Sequence, residues 1–303
     1  MSDNAKAMLM ASFAADAHAL GVHWVYNTNV IDKKYGRLET LIAPTMAAYH
    51  RGKPAGAFTH YGDQMLLLLR SVATHGYSPQ QFCEDWQAYF SNYEGYLDGA
   101  TKNTLANLDD GLDFDQAGSN SDDLGGAARI APLVYVYRND PDRLVAAVRD
   151  QTALTHRNQA VIDTAELMAR TALRVLAGAH PVDALQQETQ ARFTDTPLAT
   201  WVAEGIDSAA IETRQAIKDF GQMCEMPAAF PATVHLLARY PGNLKTALVE
   251  NVMAGGDGAA RGMLVGLLLG AHTGSDAIQL WIDAMQARLE IETLLAGTDT
   301  HLA

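Results

Sequence analysis

NVMAGGDGAARGMLVGLLLGAHTG, residues 251–274, is the stretch on which the fold turns. Gly258, Gly262, Gly266, Gly270 and Gly274 recur every fourth residue and so fall on nearly one face of a helix. Each interior glycine costs about 0.5–1 kcal/mol relative to alanine, and something must offset that cost. A bare face does so by letting a second helix approach closely. The spacing predicts a buried helix over 258–272 at the centre of a helical bundle. Its apolar run, Gly262 to Ala271, is about half of the roughly 20 residues a membrane span requires, so it is read as a core helix.

Helical periodicity continues on both sides. Met10, Phe13, Ala14, Ala17 and Leu20, with Asn4 as cap and Gly21 as stop, predict a helix over 5–20. From Asp63 a helical run ends at Gly76, and Ser78-Pro79 and Asp140-Pro141 each pair a cap with a first-turn proline. Further helices are expected over 125–138, 142–153, 158–178, 181–193, 207–220, 230–239, 243–254 and 276–295. No segment alternates with period two, so no sheet is expected. Residues 22–61 follow neither period and read as a long loop with a short helical turn. A loop of that length in a compact domain is usually functional or poorly ordered. Nothing reads as a linker or repeat, so residues 1–303 are expected to form a single all-α domain.

The bulk numbers narrow the partners. Net charge is −13, and the 22 basic residues are scattered singly, so no basic stripe is offered to nucleic acid. A small anion is still compatible with helix N-termini and one or two arginines. Cys83 and Cys224 form no CxxC pattern, the N-terminus lacks a basic region ahead of its apolar stretch, and a cytoplasmic protein with no membrane span is expected.

Four polar clusters lie at expected helix ends or loops: Asp16 to Tyr26, Thr59 to Gln64, Ser119 to Asp123 with Arg129, and Asn251 to Asp257. Singly, Asp63, Asp122 or Asp123, and Asp257 read as helix caps. Asp16 sits beside an apolar face between Phe13 and Leu20, where an unpaired carboxylate is costly and needs a partner. His18, His23, His60 and His156 lie near these clusters, whereas His50 and the other histidines have no acidic or glycine-rich context. There is no HxxxH or HExxH, which argues against zinc, and no GxSxG, P-loop or strand-linked GxGxxG, which argues against a serine hydrolase and a nucleotide cofactor. Oxygen ligands on loops suit Mg²⁺ or Ca²⁺ if they suit any metal.

In order, these clusters carry a resemblance. An Ala-Asp-Ala helix, THYGDQM, SNSDDLGGAARIAPL, LTHRNQAV and the 251–274 stretch succeed one another along the chain. The succession resembles the ADP-ribosylglycohydrolases, whose segments look like GDA-x-G, TDDT-Q-M, a small-residue loop ending in MR-x-x-P, TH, and GGDTDT followed by a glycine-bearing helix. Gly255, Gly256 and Asp257 match the start of GGDTDT; Gly266, Gly270 and Ala271 match the helix after it. Arg129 and Pro132 match MR-x-x-P, Thr155-His156 match TH, and Asn251 matches an asparagine often found before the double glycine. The resemblance implies a single large orthogonal helical bundle with its site at one end.

The departures bear on the metal. Family members hold two Mg²⁺ on the TDDT and DTDT oxygens, whereas here Asp257 is followed by Gly258, Ala259 and Ala260. The first motif is one residue longer and retains only Thr59 and Asp63 as donors. Together with His23-Trp24, this set looks most like the subgroup of jellyfish lens J-type crystallins and their selenoprotein relatives.

The resemblance therefore implies a glycosidic-bond hydrolase acting on an ADP-ribose-like or related nucleoside compound, with a degenerate metal site. The alternative is a catalytically inactive small-molecule-binding or crystallin-like structural protein. Asp16, Asp63, Asp257, His60 and Tyr61 are the candidate catalytic residues. His23, Trp24, Asn120, Asp122, Asp123, Arg129, His156, Gly255 and Gly256 are expected to meet a small anionic or nucleoside-type ligand. Thr59, Asp63 and Asp257 are the candidate metal ligands, for one weak Mg²⁺ or none.

Overall fold

The glycine-stepped helix, Gly258–Thr273, is buried from Gly258 to Ala271 and packs against the N-terminal helix, Ser2–Ala19, in the most extensive helix pairing of the structure. Alanines on the first helix meet glycines on the second. A β-carbon added at Gly262 would stand 3.5 Å from Ala15 Cβ, one at Gly266 would stand 2.5 Å from the Ala11 carbonyl oxygen, and one at Gly270 2.7 Å from Ala11 Cβ. The bare face thus brings two backbones together, which recovers in contact what the glycines lose in propensity.

The computed structural model describes residues 2–46 and 48–302. In chain order the helices are α1 (Ser2–Ala19), α2 (Thr28–Tyr35), α3 (His60–His75), α4 (Pro79–Phe90), α5 (Gly99–Asp109), α6 (Gly125–Ala128) and α7 (Ala131–Tyr137). They continue with α8 (Pro141–Thr155), α9 (Gln159–Leu176), α10 (Pro181–Arg192), α11 (Pro197–Asp207), α12 (Thr213–Phe220) and α13 (Met226–Arg239). The last are α14 (Leu244–Met253), α15 (Gly258–Thr273), α16 (Gln279–Ala284) and α17 (Arg288–Leu302). Helix covers 70% of the chain, and the described residues contain no sheet, only the isolated bridges Val25–Gly256, Ser119–His156 and Asp123–Glu225. No helix among the described residues is long and apolar enough to cross a membrane.

The start signals act as their chemistry requires: Ser78 accepts from the Gln81 amide, and Asp140 from the Arg143 amide at 3.1 Å. Elsewhere the boundaries shift. The expected 125–138 helix is split at Arg129–Ile130 into α6 and α7, because Pro132 cannot donate to the preceding turn. Of the expected 207–220 helix only α12 forms, capped by Glu212, after a 3₁₀ turn at Ser208–Ala210, and α11, which starts at Pro197 and ends at Asp207, was not expected. The expected 276–295 helix breaks at Met285, whose backbone is extended, and Gln286 N donates to the Gly56 carbonyl at 2.9 Å. A tertiary partner there replaces a helical one. Within residues 22–61, α2 occupies 28–35 and a 3₁₀ turn Leu20–Val22 precedes it. The loop that remains folds across one end of the α1–α15 pair.

Candidate active site

The site is assembled where loops cross the ends of α1, α3 and α15. Gly255 and Gly256 both have φ of 70°, and a β-carbon on Gly256 would stand 2.1 Å from the Gln222 carbonyl oxygen. Glycine is required there both for the left-handed backbone and for the close approach. Trp24 N donates to the Gly256 carbonyl, Gly256 N to the Val25 carbonyl, and Asp257 N to the Gln222 carbonyl. Arg261, fully buried, donates to the Gly255 carbonyl at 2.7 Å and to Asn251 Oδ1 at 3.1 Å. These bonds fix the turn and aim the Asp257 side chain.

Asp257 caps α15, its Oδ1 accepting from the Ala260 amide at 3.2 Å. Its Oδ2 accepts from the Tyr61 hydroxyl at 3.1 Å and from Trp24 Nε1 at 3.3 Å. The Tyr61 hydroxyl also lies 3.1 and 2.9 Å from the two oxygens of Asp123, so one phenol bridges two carboxyl groups. Burial, then the neighbouring Asp257 charge, push the Asp123 carboxyl up to about 7. Burial also raises Asp257, against the opposing charge of Arg261. As the two charges interact, the pair titrates as a unit. Asp257 is 0% exposed, whereas Asp123 is only partly buried. Cys224 stands beside both acids, its thiol held protonated by burial and by their charge.

Around this pair lies an aromatic wall. Trp24, Tyr49 and Tyr96 meet edge to face, with ring centroids 4.9, 5.2 and 5.0 Å apart. Trp24 has φ of 62°, a conformation rarely adopted by a bulky side chain, and is the described non-glycine residue with positive φ. A cleft of about 580 Å³ opens beside the wall, lined by Tyr49, His50, Lys53, Tyr93 and Tyr96 among others.

Of the residues expected from sequence, Tyr61, Asp123, Asp257, Trp24 and His23 come together with the Gly255-Gly256 turn. His23 Nδ1 lies 3.7 Å from Asp257 Oδ1, too long for a hydrogen bond. His60 packs on Tyr61 with centroids 3.9 Å apart and lies 3.3 Å from Asp98. Asp98 is a neighbour of the candidate site that pattern reading missed. Burial would raise its carboxyl, but the contact with His60 outweighs that and holds it well below the carboxylate range. Its signal was the Asp98-Gly99 cap, where it accepts from the Thr101 amide at 2.6 Å.

Other expected residues are placed differently. Asp16 is buried beneath the N-terminus of α3, accepting from Thr59 N at 2.8 Å and Thr59 Oγ1 at 2.6 Å. Burial raises its carboxyl to about 6. Asp63 is not beside Asp257; it pairs with Lys53 and accepts from the Tyr93 hydroxyl. Arg129 does not face an opening. It is buried, donating to Gln64 and Thr155, and Thr155 in turn bonds His156 Nδ1 at 2.8 Å. This network ties α3, α6 and α8 together beneath the site. Asn120 is exposed, and Asp122 contributes a backbone carbonyl to the Met226 amide at 2.9 Å.

The donor set does not fit a pair of magnesium ions. Thr59 and Asp63 are occupied by Asp16 and by Lys53 with Tyr93, and Gly258, Ala259 and Ala260 bring no side-chain oxygen. The oxygens of Asp257 face the donors Trp24, Tyr61 and Ala260 N. A hard dication needs several free oxygens at once.

Crystallin J1A of Tripedalia cystophora is 24% identical over 95% of this chain and 94% of its own length. An uncharacterized protein of Archaeoglobus fulgidus is 24% identical over 79% of each chain. A solved structure described as an ADP-ribosylglycohydrolase-related protein complex superposes with a TM-score of 0.76 over 98% of this chain and 97% of its own, at 22% identity, and so shares the fold. The sequence model of the ADP-ribosylglycohydrolase family matches residues 1–302, and the chain belongs to that family.

Proposed function

We propose that this chain hydrolyses a glycosidic bond at the ribose of an ADP-ribose-like or related nucleoside compound, without the family's magnesium pair. The observation that carries the reading is the Tyr61 hydroxyl set between Asp123 and Asp257. Asp257 is enclosed by Trp24, Tyr61 and the glycine turn, so Asp123 is the carboxyl able to meet a substrate. Burial and the neighbouring Asp257 charge favour its acid form, which donates a proton to the departing group as the C1 bond breaks. The resulting carboxylate then takes a proton from the water that attacks C1. Asp257 and Tyr61 are positioning residues: the Asp257 charge favours the acid form of Asp123, and the Tyr61 hydroxyl orients its carboxyl group. The Trp24, Tyr49 and Tyr96 wall supplies flat faces for a base or sugar ring.

The test is hydrolysis of ADP-ribosyl-arginine, ADP-ribosyl-serine and O-acetyl-ADP-ribose, with Mg²⁺ and with chelator. Turnover that is insensitive to magnesium and lost in Asp123→Asn supports the reading. A wild type that neither binds nor cleaves any of them overturns the ADP-ribose assignment.

One observation favours a second reading, a non-catalytic scaffold. The side-chain oxygens at the family's metal positions are all engaged internally, and two similar proteins bear the name crystallin.

A further inference from the structure

His23, His50 and His60 reach one point from three separate segments: the turn after α1, the loop ahead of α3, and the first residue of α3. One ring nitrogen of each lies within 4.8 Å of the others, and the residues are 1%, 2% and 1% exposed. Neither ring nitrogen of His23 or His50 makes a hydrogen bond, nor does His60 Nδ1, while His60 Nε2 lies 3.3 Å from Asp98. Buried polar nitrogens are ordinarily paired, and three imidazoles that bring unpartnered nitrogens together are costly unless something takes up those lone pairs.

The spacing suits a shared ion. Ring centroids are 5.5, 6.0 and 5.4 Å apart. Three imidazoles bound tetrahedrally at a Zn–N distance of about 2.1 Å would hold their centroids about 5 Å apart, so small side-chain movements close the set. Asp98, 3.3 Å from His60 Nε2, stands where a carboxylate that orients a metal-bound imidazole would stand. Burial, then the neighbouring rings, keep His23 and His50 uncharged, which is the ligand form. An all-nitrogen set selects a borderline ion over magnesium. The cleft lined by Tyr49, His50 and Tyr96 gives an entry path.

We propose that His23, His50 and His60 bind one zinc(II)-type ion, leaving a fourth position for water or a ligand. Sequence spacing gave no sign of this site, because the three histidines are 27 and 10 residues apart and share no local motif. The site goes beyond the hydrolase reading and does not depend on it, since binding is measured without substrate.

The test uses the full chain, purified without a polyhistidine tag, stripped with chelator and titrated with Co²⁺ and then Zn²⁺. One equivalent of Co²⁺ is expected to develop the visible absorption of a nitrogen-ligated site, and one equivalent of Zn²⁺ to displace it. His50→Ala and His23→Ala are expected to lose that absorption and weaken binding at least tenfold, with circular dichroism reporting whether they remain folded. His50 ends a short 3₁₀ turn outside the α-helices, which makes His50→Ala the variant least disruptive to the bundle. Wild-type protein that gives no nitrogen-ligated cobalt spectrum overturns the proposal whatever the variants do. So does a folded His50→Ala variant that binds cobalt as tightly as wild type.

Discussion

Tyr61 and Asp257 are joined by a 3.1 Å hydrogen bond although they lie 196 residues apart, so the N-terminus of α3 and the N-terminus of α15 share one polar contact. That contact also reaches Asp123. Tyr61→Phe removes the hydroxyl placed between the two acids while keeping the ring. The Tyr61 bond lowers the Asp123 pKa, so its loss should raise that pKa further. The alkaline limb of kcat against pH is expected to move upward, with kcat down about 10²-fold. Stopped-assay profiles from pH 5 to 9 check it; an unshifted limb would remove Tyr61 from the mechanism.

Asp257→Asn tests the like-charge effect with the opposite sign. Without the Asp257 charge, Asp123 should lose its proton at lower pH, since that charge is the second cause of its raised pKa. The activity optimum is expected to move to lower pH, with little activity left above neutrality. Asp123→Asn should be inactive throughout. By contrast Asp63→Asn, which breaks the Lys53 and Tyr93 contacts, is expected to alter melting more than kcat.

Trp24→Gly separates backbone from side chain. Glycine removes a strained left-handed conformation at φ of 62°, worth about 1 kcal/mol. It also deletes the ring that meets Tyr49 and Tyr96. A melting temperature close to wild type, with KM raised at least tenfold and kcat within a few-fold, is the expected result. A large fall in kcat with KM unchanged would place Trp24 in the chemistry instead.

Acid stability should be set by buried neutral histidines. Burial lowers His18 to about 4 and His156 to about 3. Each folded pKa lies below the unfolded one near 6.5, so the stabilising contribution is complete above about 6.5 and is lost as pH falls toward the folded values. His18 stacks on Trp281 and contacts the Leu38 carbonyl. Urea melts at pH 7 and pH 5 are expected to show a steep loss, and His18→Phe should reduce proton uptake on unfolding by about one proton at pH 5.

Gly266→Leu should be severe, because a β-carbon there already meets the Ala11 carbonyl at 2.5 Å and backbone cannot swing aside. Overpacking of this type costs about 1–3 kcal/mol, and more where two helices must separate. Thermal unfolding checks it. A neutral result would contradict the close α1–α15 contact.

Much of this was legible in the sequence. The four-residue glycine step announced a buried helix and its close partner, and the caps Ser78 and Asp140 announced their helices. Helices α2 and α5 were hidden for a physical reason. In α2 the buried side chain is Ile31 alone, and α5 reads GATKNTLANLD, so neither carries enough apolar residues to show a period. The site was partly legible, since Tyr61, Asp123 and Asp257 sit in recognisable motifs. Which acid would stand beside Asp257 was not: a helix cap, a loop turn and a phenol from three segments had to meet. Arg129 was read as an anion contact because an arginine in a small-residue loop suits one, and no local pattern reveals that Gln64 and Thr155 enclose it.

The pairing of α1 with α15 also sets an order of events during synthesis. The alanine face of the first helix leaves the ribosome early, yet the glycines that cover it are made only after residue 257. Until then α1 lacks its main partner, and the acid beside Tyr61 that comes from the α15 turn does not exist. Folding of this chain is therefore a late event with large sequence separation between its decisive contacts, slow by topology and dependent on shielding of a nascent apolar helix.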